Sequence, residues 1–253
     1  PLTGAVVVVA GDVPLLDVGT LAALVEAHEA DGNAVTALST LLDDPAGYGR
    51  IVRGPDGAVV GVVEDRDATA EQRTIAEINA SIYVFDAVAL REGLAGLGRD
   101  NAQGEVYLTD VLALAHASGR RVDSLVAEDS ILVEGVNDRV QLSTLGAELN
   151  RRTLHRWMLE GVTVIDPATT WVDVQVELAP DVTLLPGTQL LGTTTVATGA
   201  VIGPDTTLTD VEVGEGATVA RTHGQLAVIG AGASVGPFSY LRPGTVLGDR
   251  GKI

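Results

Sequence analysis

Two hydrophobic periods divide the chain, and the first gives way to the second near residue 161. The first half alternates short apolar runs with stretches of helical spacing. The β-branched run at residues 5–10 is typical of a parallel strand buried on both faces, and Asp17 is placed to cap a helix over residues 18–30. Further strands are predicted over residues 34–41, 48–53, 59–64, 76–85 and 122–126, and a helix over residues 106–118. Strands alternating with helices predict an α/β sheet.

The second half repeats every six residues. An aliphatic column contains Val172, Leu178, Leu184, Leu190, Val196, Ile202 and Leu208, and a column of small or β-branched residues contains Val176, Val182, Thr188, Thr194, Ala200 and Thr206. The phase shifts near residues 210–219, residues 221–225 are predicted to form a polar loop, and the period resumes at Ile229. This period predicts a left-handed parallel β-helix of hexapeptide repeats. The alternative is a β-sandwich with coincidental spacing.

A single helix is predicted between the two patterns. Asp138 can cap it, Leu142, Leu145 and Leu149 follow helical spacing, and Gly161 can end it. The predicted organisation is therefore a first domain over residues 1–138, a connector helix over 139–161 and a β-helix domain over 162–253. Both ends of the sequence look cut, so we expect the first domain to lack its N-terminal part and the second its C-terminal part.

Composition narrows the classes of partner. The formal net charge of −18 argues against binding to nucleic acid or anionic lipid, both of which need a basic surface. The chain has no cysteine, which excludes disulfides and Cys-ligated zinc, and no 18-residue apolar stretch that could span a membrane. These features fit a cytoplasmic protein that handles phosphorylated small molecules through a divalent cation.

The first candidate for chemistry is Asp12, which follows the run at residues 5–10. Open α/β sheets bind ligands at the carboxyl ends of their strands, and Gly11 lets the backbone approach a ligand closely. A carboxylate at that edge suits Mg²⁺, which favours one or two carboxylates together with substrate phosphates. From these residues alone, a turn or capping role for Asp12 has equal weight.

An ordered set of short motifs resembles one family. Residues 11–15 (GDVPL) are similar to the strand end at which bacterial sugar nucleotidyltransferases bind a metal. Further stretches similar to that family follow in the same order: GYGRI at 47–51, VEDRDA at 63–68, EINA at 77–80, NAQGEVYLTD at 101–110, VEGVN at 133–137, DPATTW at 166–171 and GPFSYLRPG at 236–244. Each motif is weak alone. Their order over essentially the whole chain resembles the bifunctional bacterial enzymes that join an N-acetylglucosamine-1-phosphate uridyltransferase to a glucosamine-1-phosphate acetyltransferase.

The resemblance implies a fold and a set of site residues. The fold is an α/β nucleotide-diphospho-sugar transferase (Rossmann-like) domain, a connector helix and the left-handed β-helix. The implied roles are Mg²⁺ binding by Asp12 and Asn137, sugar binding by Gly49, Glu64 and Asn79, contact with the nucleotide sugar by Ala10 and Gly11, and contact with an amino-sugar phosphate by Arg242. Beyond the metal ligands it implies no catalytic residue within the chain. Ser81 departs from the family, which commonly has Gly there, and we expect it to narrow the sugar pocket slightly.

The resemblance also implies a reaction. UTP and N-acetylglucosamine-1-phosphate would give UDP-N-acetylglucosamine and pyrophosphate with Mg²⁺, and acetyl-CoA would acetylate glucosamine-1-phosphate in the full-length parent. That parent would be a homotrimer serving peptidoglycan synthesis, cell wall biogenesis and cell shape, whereas we expect the 253-residue chain alone to be inactive. Two alternatives remain. One is a single-function sugar-1-phosphate nucleotidyltransferase with a regulatory or oligomerising β-helix, and the other is a non-catalytic β-helix scaffold.

Overall fold

The computed structural model describes residues 3–99 and 101–253, and the chain divides into two compact units. The α/β unit is Pro1–Leu145 and the β-helix unit is Gly146–Ile253. The division falls within a helix that is continuous in the structure.

The α/β unit is built on a mixed six-stranded sheet. Its strands are β1 (Ala5–Val8), β2 (Val35–Leu41), β3 (Arg50–Arg53), β4 (Val59–Val63), β5 (Glu77–Asp86) and β6 (Val122–Val126). They lie in the order β4-β3-β5-β2-β6, and β1 also pairs with β5. Among the described strands of this sheet, β2 and β6 alone pair in parallel, while the other pairs are antiparallel. The predicted hairpin is confirmed, because β3 and β4 join through a turn in which Gly57 has a positive φ of 85°.

The first strand departs from its prediction. A strand does form, but its expected burial on both faces and its parallel pairing are wrong, because β1 pairs antiparallel with β5 and its Val7 is 41% exposed. Among the described residues β5 is the sole strand paired with β1, so its other edge stays open. The apolar run indicated the strand correctly, but it carries no information on direction.

Three helices cover the sheet: α1 (Val18–Asp31), α2 (Ala87–Gly96) and α3 (Asp110–Ala117). Helix α1 begins and ends as predicted, because the Asp17 side chain accepts a hydrogen bond from the Thr20 amide at 2.6 Å and Gly32 closes the helix in the left-handed conformation. Helix α2 was not predicted, although Asp86 caps it by accepting bonds from two backbone amides. Short 3-10 turns lie at Gln72–Thr74 and Ser130–Val133.

Helix α3 is shorter than the predicted helix over residues 106–118. It begins only at Asp110, because the hydroxyl of Thr109 donates to Glu64 at 3.1 Å and so fixes the preceding residues against the end of β4. Val106 to Thr109 therefore line a cavity instead of forming the first turn of a helix.

The predicted connector is one unbroken helix, α4 (Arg139–Leu159). Asp138 caps it as expected, by accepting a hydrogen bond from the Gln141 amide at 2.8 Å. Leu145, the last residue of the α/β unit, is buried, and Leu154 and Trp157 belong to the hydrophobic core of the β-helix unit.

The β-helix unit is a parallel solenoid with three five-stranded sheets, consistent with a left-handed β-helix of hexapeptide repeats. One sheet contains β7 (Thr163–Val164), β10 (Thr183–Leu184), β13 (Val201–Ile202), β16 (Thr218–Val219) and β19 (Ser234–Val235). The second contains β8 (Trp171–Val172), β11 (Gln189–Leu191), β14 (Thr207–Thr209), β17 (Thr222–Gln225) and β20 (Ser239–Leu241). The third contains β9 (Glu177–Leu178), β12 (Thr195–Val196), β15 (Glu212–Val213), β18 (Val228–Ile229) and β21 (Val246–Leu247).

Both predicted columns fill the axis of the solenoid. Every aliphatic position from Val172 to Leu208 is buried, and Val182, Thr188 and Ala200 of the second column are fully inaccessible. The sequence period therefore gives the inward-facing residues directly.

The predicted polar loop at residues 221–225 is wrong. Thr222–Gln225 forms strand β17, which pairs in parallel with β14 and β20. Leu208 lies beside Gly224 in that register, so the coil is shorter here, and the small residues Thr222 and Gly224 point inward where a polar loop was predicted. A Cβ at Gly224 would lie 3.1 Å from Leu208 Cδ2, so the position has little room for a side chain.

Candidate functional site

A polar cavity of about 180 Å³ lies beyond the carboxyl end of β1 in the α/β unit. Its lining consists of Ala10, Asp12, Val13, Gly47, Tyr48, Asn79, Ala80, Ser81, Val133, Gly135 and Asn137. Four residues predicted from the sequence, Ala10, Asp12, Asn79 and Asn137, thus come together from three separate parts of the chain.

Backbone contacts hold the segment around Asn137 against Asp12. The amide of Val136 donates to the carbonyl oxygen of Asp12 at 2.8 Å, and the position of a Cβ on Gly135 would be 3.4 Å from Asp12 Oδ2. Asn137 itself is fixed by the start of helix α4, because its amide donates to Gln141 Oε1 at 2.7 Å. Together with the cap at Asp138, this forms a variant of the capping box, in which Gln141 accepts from the residue before the N-cap and not from the N-cap itself.

The two candidate metal ligands are both oxygen donors. Within residues 3–99 and 101–253, no cluster of three or more His, Cys, Asp or Glu side chains could hold a metal ion by itself. Asp12 and Asn137 nevertheless fit a hard cation such as Mg²⁺, which binds oxygen ligands and commonly takes the rest from water and phosphate.

A second cavity of about 300 Å³ shares Ala10 and Ser81 with the first. Its lining consists of Val8, Val9, Ala10, Glu64, Ser81, Tyr83, Val106, Tyr107, Leu108 and Thr109. Because the shared residues border both cavities, the two adjoin along the end of β1 and the middle of β5, and together they are named the recess.

Gly49 links the residues of this recess. Its carbonyl oxygen accepts a hydrogen bond from the Asn79 amide at 2.9 Å, and a Cβ at position 49 would lie 3.2 Å from Glu64 Oε2. A larger residue would therefore press on the Glu64 carboxylate. The structure thus brings together Gly49, Glu64 and Asn79, the three residues predicted to bind a sugar.

The Glu64 carboxylate lies in an environment that disfavours its charge. Burial raises the pKa of Glu64 above its usual value, the hydrogen bond from Thr109 lowers it, and the negative charges of Asp67 and Asp110 raise it further. The net pKa is raised. A ligand group that donates a hydrogen bond to Glu64 would favour the charged form and so gain binding energy.

Arg50 is a fully buried cation beside the recess, at 1% exposure. Its guanidinium donates to the carbonyl oxygen of Tyr48 and, at 3.1 Å, to the carboxylate of Asp65. Arg50 therefore fixes the chain around Gly49 and ties it to the residue that follows Glu64.

Three predicted residues, Gly11, Gly49 and Arg242, lie outside the recess lining. Gly11 is exposed, and no atom lies within 4 Å of the position its Cβ would occupy. Arg242 belongs to the β-helix unit, in an exposed turn where its carbonyl oxygen accepts from the Thr245 amide at 3.0 Å.

Sequence reasoning missed several lining residues. Tyr48, Tyr107 and Thr109 lie within motifs that carry the family resemblance, so the motifs could have indicated them. Tyr83 gave no such signal, because in the sequence it is an ordinary aromatic residue of a strand. Ser81 was noticed as a departure from the family, and it does line both cavities.

Comparison with known proteins identifies the family. The nucleotidyl transferase family model matches residues 3–175, and the chain belongs to that family. None of the described helices is both long and apolar enough to cross a membrane.

Relatives with the name Bifunctional protein GlmU match along the whole chain. Those of Kineococcus radiotolerans and Pseudarthrobacter chlorophenolicus are each 64% identical over 252 residues, covering 100% of this chain and 51% of the relative. That of Rhodococcus opacus is 61% identical over 253 residues, covering 99% of this chain and 51% of the relative. The chain spans about half the length of the curated relatives it matches.

Proposed function

We propose that this chain supplies the metal and sugar subsites of a Mg²⁺-dependent uridylyltransferase. The reaction transfers UMP from UTP to N-acetylglucosamine-1-phosphate, giving UDP-N-acetylglucosamine and pyrophosphate. The observation that carries the proposal is the recess itself, in which Asp12 and Asn137 line one cavity and Glu64 lines the adjoining one. The family and the name of the relatives support it.

Asp12 and Asn137 are proposed to hold Mg²⁺ through their side-chain oxygens. A bound Mg²⁺ would offset the negative charge of the transferring phosphoryl group. Asp12 is kept in place by its bond to the Val136 amide, and Asn137 by the start of helix α4. Both ligands are therefore pre-positioned by backbone contacts.

The sugar is proposed to bind at Gly49, Glu64 and Asn79, with Ala10 and Gly11 against the nucleotide sugar. Glu64 can accept hydrogen bonds from sugar hydroxyl or amide groups, while Thr109 holds one of its oxygens. A phosphate oxygen of the sugar phosphate then attacks the α-phosphorus of UTP in line. A new O–Pα bond forms, the bond from Pα to the bridging oxygen breaks, and pyrophosphate leaves. No protein nucleophile is needed, so these residues act by orienting the two substrates.

The β-helix unit is proposed to serve a second activity in a longer protein. That activity is acetyl transfer from acetyl-CoA to glucosamine-1-phosphate, with Arg242 contacting the sugar phosphate, since a guanidinium pairs well with phosphate. We propose that this longer protein is a cytoplasmic homotrimer that makes a cell wall precursor. Light scattering of that longer protein, after purification, tests whether it is a trimer. A stable monomer or dimer would contradict the proposed trimer.

Pyrophosphate release tests the uridylyl transfer. Because the relatives are longer, the assay uses this chain and also an exchange protein, defined as the Kineococcus radiotolerans relative with its matching segment replaced by this chain. We expect the exchange protein to release pyrophosphate from UTP, Mg²⁺ and N-acetylglucosamine-1-phosphate, more readily than with glucose-1-phosphate. Asp12→Asn should lower the rate by about 10²–10³-fold, the cost of removing one electrostatic group from such a site.

Asp43→Asn is the matched control, because Asp43 is an exposed carboxylate outside the recess lining. It should leave the rate unchanged. A rate that does not depend on Mg²⁺, or one that Asp12→Asn leaves intact, would contradict the proposed metal site. Preference for another sugar phosphate would support the single-function alternative.

A further inference from the structure

The pairing of strand β5 with β2 shifts register where β5 borders the recess. The pairing runs in register from Val35 to Ala37, which lies opposite Tyr83, but the next partner, Ser39, lies opposite Asn79. The chain between Asn79 and Tyr83 therefore bulges out of the ladder. At the bulge Ser81 has a φ of 57°, a left-handed conformation that a non-glycine residue rarely adopts.

The bulge gives the Asn79 side chain two protein partners. The backbone amide of Ser81 donates to Asn79 Oδ1 at 3.3 Å, and Asn79 Nδ2 donates to the hydroxyl of Tyr83 at 2.7 Å. A backbone amide can only donate, so it must face the oxygen of the Asn79 amide and not the nitrogen. The contact thus fixes which end of the amide points in which direction.

Both side chains are almost completely buried, with Asn79 at 5% and Tyr83 at 3% exposure. Burial raises the pKa of Tyr83 to about 12. The side-chain hydrogen bonds with Asn79 and Ser81 lower this pKa, and the negative charge of Glu64 raises it. The hydroxyl of Tyr83 therefore keeps its proton at neutral pH. It accepts the bond from Asn79 and still carries a hydrogen to donate.

We propose that Tyr83, together with the backbone amide of Ser81, is a positioning residue that holds the Asn79 amide in the orientation it presents to a bound sugar. This inference rests on the proposed role of Asn79 in sugar binding. The Asn79 amide has two hydrogens on Nδ2 and two lone pairs on Oδ1, and the two protein contacts use one of each, so one hydrogen and one lone pair remain. A sugar hydroxyl can engage both, because it donates and accepts, so the oriented amide suits a sugar hydroxyl.

The test compares two ligands that share the nucleotide and differ in the sugar. UDP-N-acetylglucosamine and UDP are titrated against this chain and against the exchange protein, in the parent form and as Tyr83→Phe. This substitution removes one hydroxyl and keeps the buried ring. We expect the affinity for UDP-N-acetylglucosamine to fall about tenfold, roughly the loss of one positioned hydrogen bond, and the affinity for UDP to stay the same.

Thr36→Val is the control for a general loss of stability. Thr36 is also a buried hydroxyl-bearing residue of the same sheet, at 1% exposure, and its hydroxyl is bonded to His28 and Asn33 and not to the recess. It should lower the melting temperature without changing the ratio of the two affinities. If Tyr83→Phe also lowers the melting temperature and leaves the ratio of the two affinities unchanged, Tyr83 has only a structural role and the proposal is overturned.

Asn79→Ala separates this inference from the proposed function. If Asn79→Ala weakens binding of UDP-N-acetylglucosamine and Tyr83→Phe does not, Asn79 binds the sugar but Tyr83 does not position it. If Asn79→Ala has no effect, the proposed sugar role of Asn79 fails and the positioning role fails with it. In the unliganded chain, the side-chain amide resonances of Asn79 should shift in Tyr83→Phe and not in Thr36→Val, and identical spectra would also overturn the proposal.

Discussion

The two units place polar groups in their interiors in different ways. In the described part of the β-helix unit, the buried polar side chains are five threonines of the solenoid, together with Asn150 and Thr153 of the helix. In the α/β unit they include the charged residues Arg50 and Glu77. The threonines bond to nearby backbone, as Thr188 does when it donates to the Leu185 carbonyl at 2.7 Å. The α/β unit instead bonds polar side chains to one another across strands, as Ser39 does to Glu77 at 2.8 Å.

This contrast separates a repeated interior from a specialised one. A solenoid coil repeats its neighbour, so a short side chain that bonds to local backbone can recur at equivalent positions. A recess that binds a charged, asymmetric ligand needs unlike groups held at fixed angles, and the bonds between strands hold them there. We therefore expect a core substitution in the β-helix unit to cost packing energy alone, and one near the recess to cost packing energy together with ligand binding.

The largest effect is expected in the β-helix unit. Leu190 is completely buried on the axis, so Leu190→Ala should lower the free energy of unfolding by about 3 kcal/mol through lost burial and a residual cavity. Both tryptophans, Trp157 and Trp171, belong to this unit, so urea titration followed by tryptophan fluorescence reports on it.

The control for that measurement is Val174→Ala, because Val174 is 56% exposed and its side chain buries little apolar area. It should change the midpoint only slightly. Weaker binding of UDP-N-acetylglucosamine in Leu190→Ala would contradict the expected separation of the two units.

A smaller loss of stability, accompanied by a loss of binding, is expected at Arg50. Arg50→Met should lower the free energy of unfolding of the α/β unit by about 2 kcal/mol, because the Tyr48 carbonyl and the partly exposed Asp65 lose a charged donor. Affinity for UDP-N-acetylglucosamine should fall as well, since the chain around Gly49 loses its anchor.

Unfolding is followed in parallel by far-UV circular dichroism and by tryptophan fluorescence. In Arg50→Met we expect the circular dichroism transition to shift to milder conditions and the fluorescence transition to stay in place. Arg139→Met is the control, because Arg139 is exposed at the start of helix α4. Coincident shifts of both signals in Arg50→Met would show that the units do not respond independently.

The smallest effect on stability is expected when the pH is lowered and His28 takes up a proton. Burial lowers the pKa of His28 below the 6.5 of the free side chain, while the charges of Asp86 and Glu29 raise it. With a lowered folded-state pKa, the contribution of His28 is fully present above pH 6.5. It is lost as the pH falls from there towards the folded-state pKa, because the unfolded chain binds the proton first.

His28→Gln removes this titration, so the stability of the variant should fall less steeply than that of the parent chain below pH 6.5. Parallel curves of unfolding free energy against pH, measured by circular dichroism, would contradict the prediction. The fluorescence transition of the β-helix unit should be the same in both proteins.

The sequence predicted the two units unequally well, for the same physical reason that distinguishes them. A six-residue period states which side chains point inward, so Leu184 and Leu190 could be assigned to the axis from the spacing alone. The period failed at Thr222 and Gly224, where small inward residues were interpreted as a polar loop. Periodicity depends on apolar positions, and a strand that places small residues inward has no apolar signal.

In the α/β unit the sequence predicted the strands and five residues of the recess lining, but not the contacts that orient them. Those five are Ala10, Asp12, Glu64, Asn79 and Asn137. The motifs indicated Glu64 and Asn79 because each lies in a stretch similar to the family. The hydrogen bond between Asn79 and Tyr83 depends on a bulge within β5. The alternation of apolar and polar residues that predicts a strand does not predict a bulge. The burial of Arg50 was equally invisible, because a charged residue at the start of a strand is ordinarily expected to be exposed.

If Asn137 binds the metal as proposed, the capping interactions at residues 137–141 would couple winding of helix α4 to occupancy of the recess. The same backbone amide of Asn137 that is bonded to Gln141 belongs to the residue proposed to bind the metal. Any ion that is held better when Asn137 is fixed must therefore also stabilise the first turn of helix α4. By reciprocity, a more stable first turn must tighten the ion by the same factor. The stability of the first turn of helix α4 and the affinity for the ion are therefore linked. The hydrogen exchange rates of the amides in that turn can report on ion binding even where those amides do not contact the ion.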